Sequence, residues 1–360
     1  MKGIFVREFA KALAISNNSF VISIKQESGR KERAVFELKE EDGINTLYIK
    51  GKGSRLRIFN RLLNLAYYRK GLLFLKEKGF KMDLCYVHVF YSALPAVLFK
   101  VLYGIPYALT EHSTSFIDNK LGFIDKLKVR LYLKMASANL PVSSNLGEKI
   151  KALGVKRAYI VIPNVYDPLI FFPGREKVNS PVINMVFVGN LVEQKGLKYL
   201  LAALKALKSR SFLLKVIGSG PLKDELTALA AESGLSSKVS FLGRKTKPEI
   251  AEIMRKSDIF VLPSVAENLP CVIIEAFACG LPVLASDVGG VSEIVSGDNG
   301  ILVRPGDVLG LTAALDQFMT EYKKYDKEKI AAYALSGFSY EAVGKNLSKI
   351  FNKISDRGRR

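Results

Sequence analysis

The sequence predicts an α/β protein built from two Rossmann-like, doubly wound domains that face a central cleft. Three observations carry the prediction: chain length, an almost unbroken alternation of short apolar runs with amphipathic stretches, and one Pro/Asn/Gly cluster near the middle. At 360 residues the chain exceeds what a single hydrophobic core usually fills. Apolar runs bounded by turn residues at 19–24, 46–49, 84–89, 107–110, 139–142 and 158–162 read as strands, with helices between them. The runs at 184–188, 212–217, 239–242, 259–262, 282–285 and 301–303 repeat that rhythm. Such alternation means βα units and mostly parallel sheets. Between the halves lie Pro163, Asn164, Pro168, Pro173 and Gly174, a linker signal that places the boundary between about 165 and 183. We therefore expect one domain over 1–168 and a second over 169–339. A C-terminal helix over 340–360, with Val343, Leu347, Ile350, Phe351 and Ile354 on one face, should pack back toward the first domain.

Composition narrows the class. Apolar residues make up 49% and charged ones 24%, which is globular composition. Residues 1–178 carry 30 Lys and Arg against 15 Asp and Glu, the remainder 24 against 19, so the first half holds most of the basic excess. A net-positive lobe attracts an anion: nucleic acid, anionic lipid or phosphorylated substrate. Cys85, Cys271 and Cys279 form no CxxC pair and the histidines are only His88 and His112, too few at such spacing for a metal cluster. Separated thiols suit a reducing compartment. Lys2, Arg7, Glu8 and Lys11 interrupt the start as a signal peptide, and the uncharged run 84–99 is too short to span a bilayer. The expected location is cytoplasmic, soluble or peripheral at the inner face of the plasma membrane.

The most informative run extends from Val261 to Gly280. A buried strand ends at Leu262, a loop follows, Pro270 stands at a helix start and Gly280 at its stop. The positive end of that helix points into the cleft, where free backbone N–H groups can hold a diphosphate. Glu267 lies before the helix and Glu275 about five residues inside it, which at 1.5 Å per residue sets the carboxylates ~8–12 Å apart. That is too wide for a shared proton. It suits two ionised groups accepting hydrogen bonds from hydroxyls at opposite ends of an elongated ligand, hexose at one end and ribose at the other.

These segments resemble the retaining glycosyltransferases of family 4, which have the GT-B fold. The resemblance covers nearly the whole chain. It rests on Glu267 and Glu275 eight apart, on Gly280 through Gly290 with Glu293, and on Phe187 through Gly196. It implies that Glu275 binds the donor ribose, that Glu267 contacts the donor sugar, and that the amides of Asn268 and Leu269 help seat it. Lys195 would stabilise the leaving diphosphate beside Gly189 and Asn190; many family members have Arg at the latter position. Arg244, after Phe241, is implied near the nucleobase, and Gly218 and Gly220 read as turn residues. In the first half, His112 matches an acceptor-side histidine that bonds the transferred sugar, or the donor phosphate if protonated; the alternative is a structural histidine. His88, inside an apolar strand, reads as core. Gly3 resembles the glycine that contacts the donor phosphate after a first strand, yet that strand has no counterpart ahead of it. Glu293 is balanced between helix cap and site.

No Asp-x-Asp occurs, so a helix terminus and Lys195 are expected to do a metal's work, with no cofactor or metal. The expected function is retaining transfer of a sugar from a UDP-, GDP- or ADP-sugar to a glycan or lipid-linked acceptor in surface polysaccharide or lipopolysaccharide synthesis. The alternatives are a catalytically weak sugar-nucleotide or partner binder, and a sugar-nucleotide epimerase, against which the Glu267/Glu275 segment argues. Residues 54–80 interleave Arg55, Arg57, Arg61, Arg69, Lys70, Lys76 and Lys78 with Leu, Ile, Phe and Tyr. That stretch reads either as a basic amphipathic helix lying on an anionic membrane surface or as a lobe helix with a solvated face. Nucleic acid is not expected as a partner, because no recognised motif accompanies the charge.

Overall fold

The computed structural model describes residues 4–29, 32–113, 116, 121–174 and 180–357. The first half opens with helix α1 (Ile4–Ala14). Strands β1 (Phe20–Ser28), β2 (Val35–Glu41) and β3 (Ile44–Gly53) follow, in the order β1-β3-β2. Asp42 and Gly43, both at positive φ, form the two-residue turn that makes β2 and β3 an antiparallel hairpin. Helix α2 (Arg57–Glu77) leads to β4 (Cys85–His88), α3 (Leu94–Tyr103), β5 (Tyr107–Glu111), α4 (Phe123–Met135), β6 (Ala138–Pro141) and α5 (Ser144–Ala152). Strands β4-β5-β6 form a parallel sheet whose middle strand β5 is buried along its whole length.

The second half is one six-stranded parallel sheet. Its strands are β7 (Ile183–Val188), β8 (Phe212–Ile217), β9 (Val239–Gly243), β10 (Ile259–Leu262), β11 (Val283–Ser286) and β12 (Gly300–Val303). Helices α6 (Leu197–Ala206), α7 (Lys223–Glu232), α8 (Lys247–Arg255), α9 (Cys271–Ala278) and α10 (Val308–Glu321) connect and cover them, and α11 (Lys327–Phe338) and α12 (Tyr340–Arg357) complete the chain. The order β12-β11-β10-β7-β8-β9 reverses direction between β7 and β10. A parallel sheet opens a crevice at such a reversal, beyond the carboxyl ends of the two strands. The candidate loops for a site are the ones that leave β7 and β10.

Three findings depart from the sequence reading. Residues 158–162 do not form a named strand; they run beside β6 through a bridge at Tyr159 and hydrogen bonds from Ile160 and Ile162, because Pro141 has no N–H to continue the ladder. The β2 strand was not expected, since its Glu- and Lys-rich sequence belongs to an exposed edge rather than an apolar run. The first half also carries two three-stranded sheets, with β1 and β4 both at an edge among the described residues.

Helix α12 returns to α1. Gly344 approaches so closely that a Cβ there would lie 2.2 Å from the Ala12 carbonyl oxygen. Phe9, Ala12 and Leu13 of α1 share one apolar cluster with Val343, Leu347 and Phe351 of α12 and with Ala108 and Leu140 of the β4-β5-β6 sheet.

Candidate active site

Backbone contact joins the loops after β7 and β10. Gly196, at φ +65°, leaves no room for a side chain: a Cβ would lie 2.0 Å from the Pro263 carbonyl oxygen. Val265 N–H donates to Gln194 O at 2.9 Å, and the Gln194 side chain donates to Ala266 O at 2.8 Å. This stitching brings Lys195 Nζ to Glu267 Oε1 at 2.5 Å, where Ser264 Oγ also donates at 2.8 Å. Glu267 is buried. A lysine and a carboxylate therefore meet at the sheet reversal, each able to exchange its partner for part of a ligand. Gly218 and Gly220 serve close packing rather than a turn: a Cβ on either would strike the Gly189 or Leu191 carbonyl oxygen at 1.8 or 2.2 Å. Gly189 is half-buried beside them and Asn190 is exposed.

Helix α9 begins after Pro270, its N-cap, and ends before Gly280 at φ +75°. Glu275 is its fifth residue and is buried. Lys247 Nζ stands 3.8 Å from Glu275 Oε1 and 3.1 Å from Glu8 Oε1, so a side chain of α1 reaches a carboxylate of the second sheet through one lysine. Tyr340 donates to the other oxygen of Glu8. Burial pushes the Glu275 carboxyl up to about 7, against the opposing pull of Lys247. Burial works against the Lys247 charge too, but the two glutamates outweigh it and raise that pKa.

The first-half wall is built at the carboxyl ends of β4 and β5. Buried Glu111 accepts the N–H groups of Phe90, His112 and Ser113 at 2.7–2.9 Å, and burial raises its pKa to about 7 despite those bonds. Val89 sits at φ +60°, a strained conformation for a β-branched residue, held by its N–H on Thr110 O at 2.8 Å. Asn164 donates from Nδ2 to Leu269 O at 2.6 Å, which leaves its Oδ1 as the acceptor for His112 Nδ1 at 3.1 Å. His112 Nε2 then carries a lone pair, facing His88 Nδ1 at 3.0 Å, so His88 donates. Burial drives the His112 pKa down to about 4 and His88 well below its usual value. The unliganded imidazole is therefore neutral near pH 7. His88 is buried as expected, and it also fixes the tautomer of His112.

Asn268 ties the halves together. Its Nδ2 donates to the carbonyl oxygens of His112 and Ser113 at 2.8 Å each, and its backbone oxygen accepts Gly290 N–H at 2.6 Å. The buried Asn268 Oδ1 has no hydrogen-bond partner among the described residues. Leu269 is buried, with its carbonyl on Asn164. Glu293, in the 3-10 turn Val291–Glu293, accepts Ser144 N–H at 2.7 Å and Asn145 N–H at 2.8 Å. It caps α5 of the other half. Arg244 is exposed at the end of β9 and donates to Ser219 Oγ at 2.6 Å. Gly3 lies outside the described residues. The structure thus adds Ser264, Lys247, Glu8, Asn164 and His88 to the sequence-predicted set. Asn164 had looked like linker, and nothing in local spacing links residues 8, 247 and 275.

Gly289 sets the distance between these loops. At φ +60°, a Cβ on it would lie 1.9 Å from the Glu267 carbonyl oxygen. Gly289→Ala should cost about 1–3 kcal/mol through backbone strain and forced loop separation, visible as a lowered melting temperature.

Two family models account for most of the chain: "Glycosyltransferase Family 4" matches residues 3–168 and "Glycosyl transferases group 1" matches residues 171–334. The chain belongs to the group 1 glycosyltransferases. An uncharacterized glycosyltransferase of Methanocaldococcus jannaschii is 28% identical to this transferase over 301 residues, 80% of each chain. Sucrose-phosphate synthase from Thermosynechococcus elongatus superposes with a TM-score of 0.80 at 19% identity, covering 99% of this transferase and 94% of that chain. An Anabaena protein, HepE, in complex with UDP and glucose superposes at 0.70 with 20% identity, covering 86% of each chain. These structures are alike in fold, the GT-B arrangement.

Proposed function

We propose that this transferase moves a sugar from a nucleoside-diphosphate sugar to a glycan or lipid-linked acceptor, retaining anomeric configuration and using no resident metal. The Lys195–Glu267 pair at the β7/β10 reversal, beside a second buried carboxylate five residues into α9, carries this reading. The complex of HepE with UDP and glucose supports the class of donor.

In the proposed pose the pyrophosphate lies at the start of α9 over Gly189, with Lys195 moving from Glu267 to the phosphate oxygens. Glu267, freed, accepts sugar hydroxyls, and Asn268 Oδ1 takes a further hydroxyl. Glu275 accepts the ribose hydroxyls, with Arg244 toward the base. Neutral His112, oriented by Asn164 and His88, lines the acceptor side. The acceptor hydroxyl attacks the anomeric carbon on the face from which the diphosphate leaves. As the new C–O bond forms, the C–O bond to phosphate breaks and the departing phosphate oxygen takes the acceptor proton. Lysine and backbone amides offset the charge that develops on the leaving group.

Anomeric analysis of the product by NMR should show the donor configuration, and a chelator should leave turnover unchanged. An inverted product ends the front-face mechanism; turnover lost to chelator and restored by a divalent cation ends the metal-free assignment.

A further inference from the structure

Helix α4 shows large apolar side chains to solvent on one whole face. Phe123 is 82% exposed, Ile124 66%, Leu127 57% and Leu131 50%, while Val129, Tyr132 and Leu133 on the opposite face are buried. Residues three and four apart share a helix face, so exposed Arg130 and Lys134 continue the same stripe. The neighbouring helices extend it. Val101 and Leu102 at the end of α3 and Ile58, Phe59 and Leu62 at the start of α2 are also exposed. Lys100 of α3 donates to Met135 O of α4 at 2.5 Å, and Arg69 of α2 donates to the Tyr103 hydroxyl of α3 at 2.9 Å, which links the three helices side by side. Residues 55–135 contain 14 Lys and Arg against five Asp and Glu.

We infer that this α2–α3–α4 face is a docking surface for an anionic lipid bilayer, with the first turn of α4 as its apolar wedge. Exposed apolar patches of this extent mark interaction sites. Protein interface cores are depleted in lysine, whereas amphipathic helices that lie in a bilayer boundary combine aromatic and aliphatic side chains with Lys and Arg. The charge excess is complementary to anionic headgroups and to no neutral surface. Position matters as well. α4 is the helix that follows β5, whose carboxyl end carries Glu111 and leads to His112, so in this βα unit the first turn of α4 belongs to the cleft end of the sheet. A bilayer met there presents a lipid-borne hydroxyl to the cleft. The surface extends well beyond the basic stretch 54–80, and its most exposed residue, Phe123, lies outside it.

The test is co-sedimentation of the full chain with vesicles of phosphatidylglycerol in phosphatidylcholine and of phosphatidylcholine alone, at low and high salt. Binding should require phosphatidylglycerol and weaken with salt. The double variant Phe123→Ser/Ile124→Ser should bind at least about tenfold more weakly, with unchanged circular dichroism and unchanged affinity for a soluble sugar nucleotide. The inference fails if wild type does not bind at low salt, if neutral vesicles bind equally, or if the double variant binds like wild type. It also fails if sedimentation velocity shows that this face holds a dimer which the double variant dissolves. Because the readout is vesicle binding, it stands or falls independently of the transfer chemistry.

Discussion

Lys195→Met should lower kcat by about 10²–10³-fold, the usual cost of removing one group that stabilises a leaving anion. The same substitution leaves Glu267 buried with Ser264 as its remaining side-chain donor among the described residues. Breaking one side of a buried pair costs about 3–5 kcal/mol, because the surviving charge has lost its counter-ion in a poorly solvated place. Both effects follow from one ion pair, and they separate in a double variant. Lys195→Met/Glu267→Gln removes both charges and should recover most of the melting temperature while recovering none of the turnover. Steady-state kinetics and thermal denaturation on the three proteins check this. A Lys195→Met enzyme with wild-type turnover would remove the lysine from any role in donor cleavage.

Lys195 and Glu267 were each legible in the sequence, though not as a pair, because each sits in its own local signature. Strands β7 and β10 are buried in a parallel sheet and so read as apolar runs, and the loops that leave them carry glycine, lysine and glutamate at recognisable spacing. The α9 segment was legible for the same reason, with Pro270 and Gly280 marking its ends. The β2 strand was not, since an exposed antiparallel edge has little apolar pattern to show. Nor was the role of Asn164, whose side chain bridges His112 and the Leu269 carbonyl only once the halves have closed on each other. Glu293 shows the limit most clearly. Its place in a conspicuous loop suggested either a cap or a ligand, and the helix it caps begins at Ser144, 149 positions earlier.

The cross-half contacts share a design. Asn268 holds the backbone of His112 and Ser113, Asn164 holds that of Leu269, and Glu293 holds the start of α5. Each uses a side chain from one half on main-chain atoms of the other, so the spacing of the cleft walls depends on a few polar side chains rather than on apolar packing alone. Such bonds contribute about 0.5–1.5 kcal/mol each. They can align the walls and still yield to a substrate that brings competing hydroxyls.

Glu275→Ala should weaken sugar-nucleotide binding about a hundredfold, near 3 kcal/mol, since an ionised carboxylate accepting two ribose hydroxyls makes charge-assisted bonds worth about 1.5–3 kcal/mol each. The pH dependence identifies the group. With its pKa raised from 4.5 to about 7, Glu275 is largely ionised above that value and protonated below it. Affinity should therefore be full above about pH 7 and fall as pH drops toward 5, up to tenfold per unit. The stability effect of the same shift has the opposite sign: a carboxyl whose pKa folding raises favours the folded state more as pH falls from about 7 toward 4.5. Loss of affinity across that window is thus not unfolding driven by this group. Glu275→Gln should bind weakly and without the inflection. Lys247→Met removes the cation that opposes burial, so the inflection should move to higher pH. Calorimetric titration of UDP, GDP and ADP from pH 5 to 9 measures all of this, and an inflection that persists in Glu275→Gln assigns the titration to another residue.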